Sequence, residues 1–322
     1  MINWSNSMHN ILVTNIGFGQ ASPESLIKLK SIANIFLNEK GIRYTEELFL
    51  QNIANMYAIV AGTEKISRSV IEAAKDLKLI VRIGAGVDNI DLDYANTKGI
   101  SISYTPDAPA QAIPEFALSL MLSLIKNLSI VDKKMHQGEW HRPMGSMLSS
   151  LKIGIIGAGK IGSRLIELIK KISPQTEVYY YDPHVRDLKS AIKRDIDFIF
   201  SQSDIISIHT PLNEMTKGFI NKTLLSSMKK GSYIINTARG SIVDEDALYQ
   251  LLECKHLAGA AIDVFGIEPY YGNLTKLDNC LLTSHIGSLT KEVRSIMEVQ
   301  AVEDIIRFIN NEPLLRRYKI GI

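Results

Sequence analysis

Three side chains in the C-terminal half could act together on one small molecule: Arg239 in NTARGSIVDEDAL (236–248), Glu268 in AAIDVFGIEP (260–269) and His285 in LLTSHIGSLT (281–290). Singly, each has a plain structural reading. A lone histidine is more often a hydrogen-bonded structural residue, and a lone arginine a surface ion pair. Their shared placement changes that. Each lies just beyond an apolar, β-branched run, GSYIIN (231–236), AGAAID (258–263) or CLLTS (280–284), and strand C-terminal ends are where open α/β sheets bind ligands. Hydride transfer to a ketone calls for this set. Arg239 can grip a carboxylate in bidentate fashion and polarise the neighbouring carbonyl. His285 titrates near neutrality and can carry the proton that accompanies the hydride. Glu268 beside the imidazole would favour its charged form and fix its tautomer. Asp263, ending the middle run, faces the same rim.

A hydride carrier has a place to bind upstream. GAGKIG (157–162) follows the apolar run LKIGII and opens the helical stretch IGSRLIELIKK, the context that a G-x-G-x-x-G turn requires. Gly157 permits the tight turn, Gly159 lets a pyrophosphate approach the backbone, and Gly162 lets helix and strand pack closely. Lys160 and Ile161 start the helix, whose N-terminal N–H groups attract phosphate. Asp182 closes EVYYYD, twenty residues past Gly162. A carboxylate there accepts hydrogen bonds from a ribose diol and repels a 2′-phosphate, which points to NAD rather than NADP.

Those strands must belong to larger units. From 11 to 105, ILVTNI (11–16), YAIVA (57–61), LKLIVRI (77–83) and ISISY (100–104) read as buried strands, with helical periodicity over 23–39 and 66–76. TPDAPA (105–110) interrupts the series, and a helical stretch over 112–137 follows, with Pro114 near its first turn. A second alternating series runs from LKIGIIG (151–157) through EVYYYD (177–182), DIISIH (204–209) and the three runs above, and 290–310 is again helical. Alternation of this kind predicts an α/β chain of two Rossmann-like, doubly wound parallel-sheet domains with a cleft between them.

Composition agrees. The 322 residues suffice for two cores, and 46% hydrophobic with 22% charged residues is ordinary for a globular enzyme. A formal net charge of +2 and the absence of like-charge blocks argue against a nucleic-acid surface. The start, MINWSNSMHN, has no signal-peptide pattern. The apolar run FALSLMLSLI (116–125) is ten residues long, about half of a membrane span. Cys254 and Cys280 have neither metal-ligand spacing nor a disulfide framework. A cytoplasmic protein without a membrane partner is expected.

In order and spacing, GAGKIG, Asp182, HTPL (209–212), NTARGSIVDEDAL, AAIDVFGIEP and SHIGS resemble the D-isomer-specific 2-hydroxyacid dehydrogenases, and LIVRIGAGVDNIDLDYANTKGI (79–100) resembles that family's substrate loop. The resemblance implies NAD as cofactor and Arg239, Glu268 and His285 as the catalytic triad. His209, Thr210 and Pro211 would line the cofactor pocket, with Ala238 and Asp263 near the nicotinamide and Gly287 also binding the cofactor. Residues 1–105 and 291–322 would form the substrate-binding domain and 106–290 the NAD-binding domain, in a homodimer. Ser284 stands where the family usually has proline, which alters loop stiffness more than chemistry. Glutamate at 268 argues against the formate dehydrogenase branch.

Around Gly84, Ala85 and Gly86 the substrate loop offers backbone N–H groups for a carboxylate, and it carries Arg82. With Arg142 in GEWHRPMG (138–145), Arg82 resembles basic positions of the phosphoglycerate dehydrogenase branch. That implies oxidation of 3-phospho-D-glycerate to 3-phosphohydroxypyruvate, the entry to serine synthesis, without serine feedback because the chain ends at 322. The alternatives are an unphosphorylated acid such as lactate, glyoxylate or hydroxypyruvate, and an NAD-sensing corepressor-like binding protein.

Overall fold

In the computed structural model, which describes residues 8–185 and 187–319, all ten of the runs read above as buried strands contribute to parallel sheets. The chain divides into two units, Met1–Pro109 with Leu289–Ile322, and Ala110–Ser288.

The first unit runs β1 (His9–Val13), α1 (Pro23–Lys30), β2 (Ala33–Leu37), α2 (Glu46–Asn52), β3 (Ala58–Ala61), α3 (Arg68–Ala73), β4 (Leu79–Arg82), α4 (Leu92–Thr97) and β5 (Ser101–Tyr104). Its strands order β2-β1-β3-β4-β5, all parallel. Every residue of β3 and β4 is buried, as expected of central strands covered on both faces. Short helices start where side chains can cap them: Thr45, Ser67 and Asp91 accept from the backbone N–H groups of Leu48, Val70 and Tyr94. One expectation fails here. The periodic stretch 23–39 is not a single helix, because Ala33–Leu37 leaves the helix and pairs with β1. Its alternating exposure is that of an edge strand, which helical periodicity mimics over so short a length.

The second unit runs α5 (Pro109–Ile125), α6 (Leu128–His136), β6 (Lys152–Ile156), α7 (Lys160–Ile172), β7 (Glu177–Tyr181), β8 (Ile192–Lys193), α8 (Ile196–Gln202), β9 (Ile205–Ile208), α9 (Lys222–Ser227), β10 (Tyr233–Asn236), α10 (Glu245–Glu253), β11 (Gly259–Ile262) and β12 (Cys280–Leu282). Its parallel strands order β12-β11-β10-β9-β6-β7-β8. Two hydrophobic layers cover the sheet, one including Ile156, Phe200 and Leu248, the other Met121, Leu165 and Ile235. The single helix expected over 112–137 is two, bent by 63°. Asn127 makes the break with a left-handed φ of +56°, and its amide donates to Met144 O. Pro114 lies inside α5 rather than in its first turn. No single helix among the described residues is long and apolar enough to cross a membrane.

The chain then returns to the first unit in α11 (Lys291–Ile309), which packs beside α1, β4 and β5. Buried Glu298 on α11 accepts from the backbone N–H groups of Gly19 and Ser22 and pairs with Arg294, whose guanidinium donates to Ile16 O. Buried Asp304 accepts from the Ser103 hydroxyl and from Leu315 N. In each sheet the strand order reverses once, between β1 and β3 in the first unit and between β6 and β9 in the second. Open α/β sheets take their ligands at such reversals, outside the strand C-termini.

Candidate active site

At the β6/β9 reversal the glycine turn is closed by contacts that only glycine allows. Gly157 has φ +90°, and a Cβ there would lie 2.7 Å from His209 O and 2.8 Å from Thr210 N. A Cβ on Gly162 would overlap Gly157 O. Above Gly159 there is open space, with nothing within 4 Å of an added Cβ. Lys160 and Ile161 form the first turn of α7, aligned with that opening. GAGKIG and His209-Thr210-Pro211 therefore meet at one place. The Thr210 and Thr237 hydroxyls are buried without hydrogen-bond partners among the described residues, and such atoms call for a ligand to complete them. Packing around the His209 ring pushes its pKa down to about 4. Neutral at physiological pH and hydrogen-bonded to Ser207 at 2.9 Å, it lines the turn and does not compete as an acid.

Asp182 lies beside this turn at the end of β7. Burial would raise its pKa, but backbone N–H groups of Val185, His184 and Ala158 outweigh it and hold the carboxyl below the usual range. Its Oδ2 accepts from Ala158 at 2.8 Å, and its Oδ1 from His184 at 2.8 Å and Val185 at 3.0 Å. The carboxylate thus ties the glycine turn to the 182–185 loop while presenting negative charge where an adenosine ribose would lie.

Beyond β10, β11 and β12 the expected rim takes shape. His285 Nδ1 lies 3.0 and 3.1 Å from the two Glu268 carboxylate oxygens. Glu268 Oε1 also accepts from Phe265 N at 3.2 Å. Held this way, the imidazole donates from Nδ1 to the carboxylate, and Nε2 lies outside that pair. Arg239 comes from the adjacent loop, its Nη1 donating to Ala238 O at 2.7 Å. That loop abuts the Glu268 loop closely: a Cβ on Gly240 would overlap the backbone of Phe265. The structure therefore gathers all three residues on neighbouring loops of one unit.

Sequence reasoning missed how these loops are held. Asn236, buried at the end of β10, accepts from Ala238 N and donates to Arg239 O, an Asx turn that fixes the arginine's backbone. Glu245 accepts from Gly266 N at 2.6 Å. Asp263 is 1% exposed, and its carboxylate is occupied by the segment carrying His285. Oδ1 accepts from Thr283 Oγ1 at 2.7 Å and Ile286 N at 2.8 Å, Oδ2 from Gly287 N at 2.9 Å, and the Asp263 carbonyl from His285 N at 2.9 Å. Asp263 and Gly287, both expected to bind the cofactor, are thus bound to each other. A strand-end Asp, with Thr-Ser-His-Ile-Gly at the end of the next strand, was the visible signal.

The remaining expected residues lie apart from this cluster. Arg142 is exposed on the loop after α6 in the second unit. Arg82 ends β4 in the first unit, 6% exposed, with Nη1 donating to the neighbouring Ile83 carbonyl and the guanidinium lying over the bare Cα of Gly84. Of the N–H groups expected to receive a carboxylate, that of Gly84 donates to Thr105 Oγ1 at 2.7 Å. Ala85 is exposed and Gly86 half-buried.

Residues 118–287 match the family described as D-isomer specific 2-hydroxyacid dehydrogenase, NAD binding domain. Over 89% of its length the chain is 36% identical to a glyoxylate reductase of Thermofilum pendens, 88% of which it covers. The chain belongs to the D-isomer-specific 2-hydroxyacid dehydrogenases. Its cofactor is NAD, in keeping with the matched domain and the glycine turn. It is also 34% identical, over 84% of its length, to a D-3-phosphoglycerate dehydrogenase of Archaeoglobus fulgidus, covering 53% of that protein. The solved NAD-dependent formate dehydrogenase of Staphylococcus aureus in complex with NAD matches with a TM-score of 0.87 at 26% identity, over 98% of this chain and 99% of that one.

Two outcomes follow from this geometry. Asp182→Asn keeps an acceptor but loses the charge, so the ratio of catalytic efficiencies for NAD and NADP should fall at least tenfold. Asp182→Ala should in addition lower stability by about 1–3 kcal/mol, because three N–H groups lose their acceptor. Equal use of both cofactors by wild type would refute the first. Asp263→Ala frees the His285 segment, so turnover should fall by about tenfold or more with NADH affinity held within about threefold, a split between chemistry and binding. A large loss of NADH affinity with normal turnover would instead place Asp263 on the cofactor.

Proposed function

We propose that this dehydrogenase interconverts a small unphosphorylated 2-oxo acid, of the glyoxylate or hydroxypyruvate kind, with its D-2-hydroxy acid, the second unit holding NAD and the first holding substrate. The His285–Glu268 pair carries the reading. Bound NAD supplies or accepts the hydride; this chain's residues do the rest. Arg239 grips the substrate carboxylate and aligns the carbonyl. His285 gives its Nε2 proton to the carbonyl oxygen during reduction and takes it back during oxidation. Glu268 fixes the ring's tautomer and balances its charge, and Asp263 holds the segment.

The tail of the substrate turns on Arg82. A phosphate clamp needs an arginine with its fork presented outward; here the guanidinium is buried and donates to its own neighbour's carbonyl. The similarity to a glyoxylate reductase supports the same reading. The phosphoglycerate dehydrogenase similarity supports the phosphorylated acid as second reading.

The homodimer belongs to this proposal. Helix α6 has no buried residue, and the segment after it exposes Trp140, Met144 and Met147 by 78%, 98% and 66%, an apolar surface that calls for a partner. We assign it to a second copy of the chain. Light scattering should give a dimer for wild type and a monomer for Trp140→Glu/Met144→Glu; a wild-type monomer would contradict the assignment.

The activity is tested by NADH absorbance on a panel of 2-oxo acids with and without phosphate. Wild type should favour the unphosphorylated acids, and His285→Ala should lose turnover by about 10² or more with NADH affinity unchanged. Preference for 3-phosphohydroxypyruvate would sink the unphosphorylated reading. NADH binding without turnover of any acid would favour a sensor.

A further inference from the structure

Helix α10 begins with two acids, and one of them is enough to cap it. Asp244, the residue before the helix, accepts from Ala247 N at 2.9 Å. Glu245, the first helical residue, sends its carboxylate elsewhere: Oε1 accepts at 2.6 Å from Gly266 N, 21 residues further on. The helix does not require that reach. Its cap is already filled, and a negative charge in its first turn is favourable without a bond to Gly266.

The receiving loop carries Glu268. It closes on itself through Phe265 N, which donates to Glu268 Oε1 at 3.2 Å, and through the Phe265 and Tyr270 rings, stacked with centroids 4.2 Å apart. Packing does little for its apex. Gly266 is exposed, and Ile267 is 81% exposed. Glycine loses more freedom on ordering than any other residue, so an acceptor on its N–H restrains the loop where side-chain contacts do not. The segment that supplies this acceptor is also the one that carries Arg239. It runs from Arg239 through the turn Gly240–Ile242 into α10, and it meets the Glu268 loop twice, at consecutive residues. Gly240 lies against the backbone of Phe265, where a Cβ would overlap, and Glu245 holds Gly266 N.

We propose that Glu245 is a positioning residue for proton transfer: by holding Gly266 N it keeps the Glu268 carboxylate against His285. It acts through the loop rather than on the reacting atoms, and the proposal rests on His285 and Glu268 being the proton-transfer pair. Arg239 has its own support, because the Asn236 side chain accepts from Ala238 N and donates to Arg239 O. Loss of the Glu245 contact should therefore disturb the acid/base and spare the grip on the substrate carboxylate, a split between kcat and KM. A merely structural role would move stability and all the kinetic constants together.

The test uses the intact protein with NADH and the best 2-oxo acid of the panel. Glu245→Ala should lower kcat by about tenfold, the worth of a hydrogen bond to a charged acceptor. KM for the acid and NADH affinity should stay within about threefold. The melting temperature should fall by about 4 °C or less, because the contact lies at the surface. Glu245→Gln keeps an oxygen acceptor at the same reach and should recover most of the turnover, whereas the shorter Glu245→Asp should not. In a Glu268→Gln background, Glu245→Ala should cost no more than about twofold, since the pair it serves is already impaired. Unchanged kcat in Glu245→Ala, or a loss as large with Glu268→Gln as without it, would overturn the proposal and leave the dehydrogenase reading intact. A joint fall in kcat, NADH affinity and melting temperature that Glu245→Gln does not reverse would make Glu245 structural and overturn it as well. Wild type that binds NADH and reduces no acid would bring down the dehydrogenase reading and this proposal together.

Discussion

The carboxylate of Asp263 is the acceptor around which the strand-end rim that carries His285 is organised. At 1% exposure it must be fully matched, because an unpaired buried carboxylate costs several kcal/mol. Its donors all come from one segment: the Thr283 hydroxyl and the N–H groups of Ile286 and Gly287. That requirement bends the chain after β12 so tightly that His285 takes a φ of +57°, a left-handed conformation costing a non-glycine residue about 1 kcal/mol. The bend aims the imidazole at Glu268. A buried carboxylate, a strained backbone and an oriented imidazole are three views of one arrangement.

Close approach of loops sets the rest of the second unit. Glycine at 157 lets the pyrophosphate turn touch the strand-end residues His209 and Thr210, glycine at 162 lets α7 sit against that turn, and glycine at 240 brings the Arg239 loop against the Glu268 loop. A methyl group at any of the three would push apart residues that must meet. The glycine turn and the His285–Glu268 pair thus stand at the C-terminal ends of strands of one sheet.

Much of this could be read from residue types and spacing, because the signals were local. A strand leading into G-x-G-x-x-G and a helix, an acid twenty residues on, and charged residues at successive strand ends are short-range patterns. What could not be read was set by tertiary pairing. Ala33–Leu37 becomes an edge strand only because β1 lies beside it. The break at Asn127 depends on a left-handed turn that its residue type permits without requiring. The engagement of Asp263 with the 283–287 segment depends on pairing across loops some twenty residues apart, and the burial of Arg82 over Gly84 on packing that its residue type does not announce. Arg82 shows the difference best: its sequence context suggested a contact to the substrate's charged end, and its burial over Gly84 was not legible there.

The central claim is that Glu268 contributes to proton transfer only through His285. A double-mutant cycle on the hydride step, followed as single-turnover NADH oxidation, tests it most directly. His285→Ala and Glu268→Gln should each slow the step, and the double variant should be no slower than His285→Ala alone. Losses that multiply in the double variant would show that Glu268 acts independently of the histidine and would contradict the account.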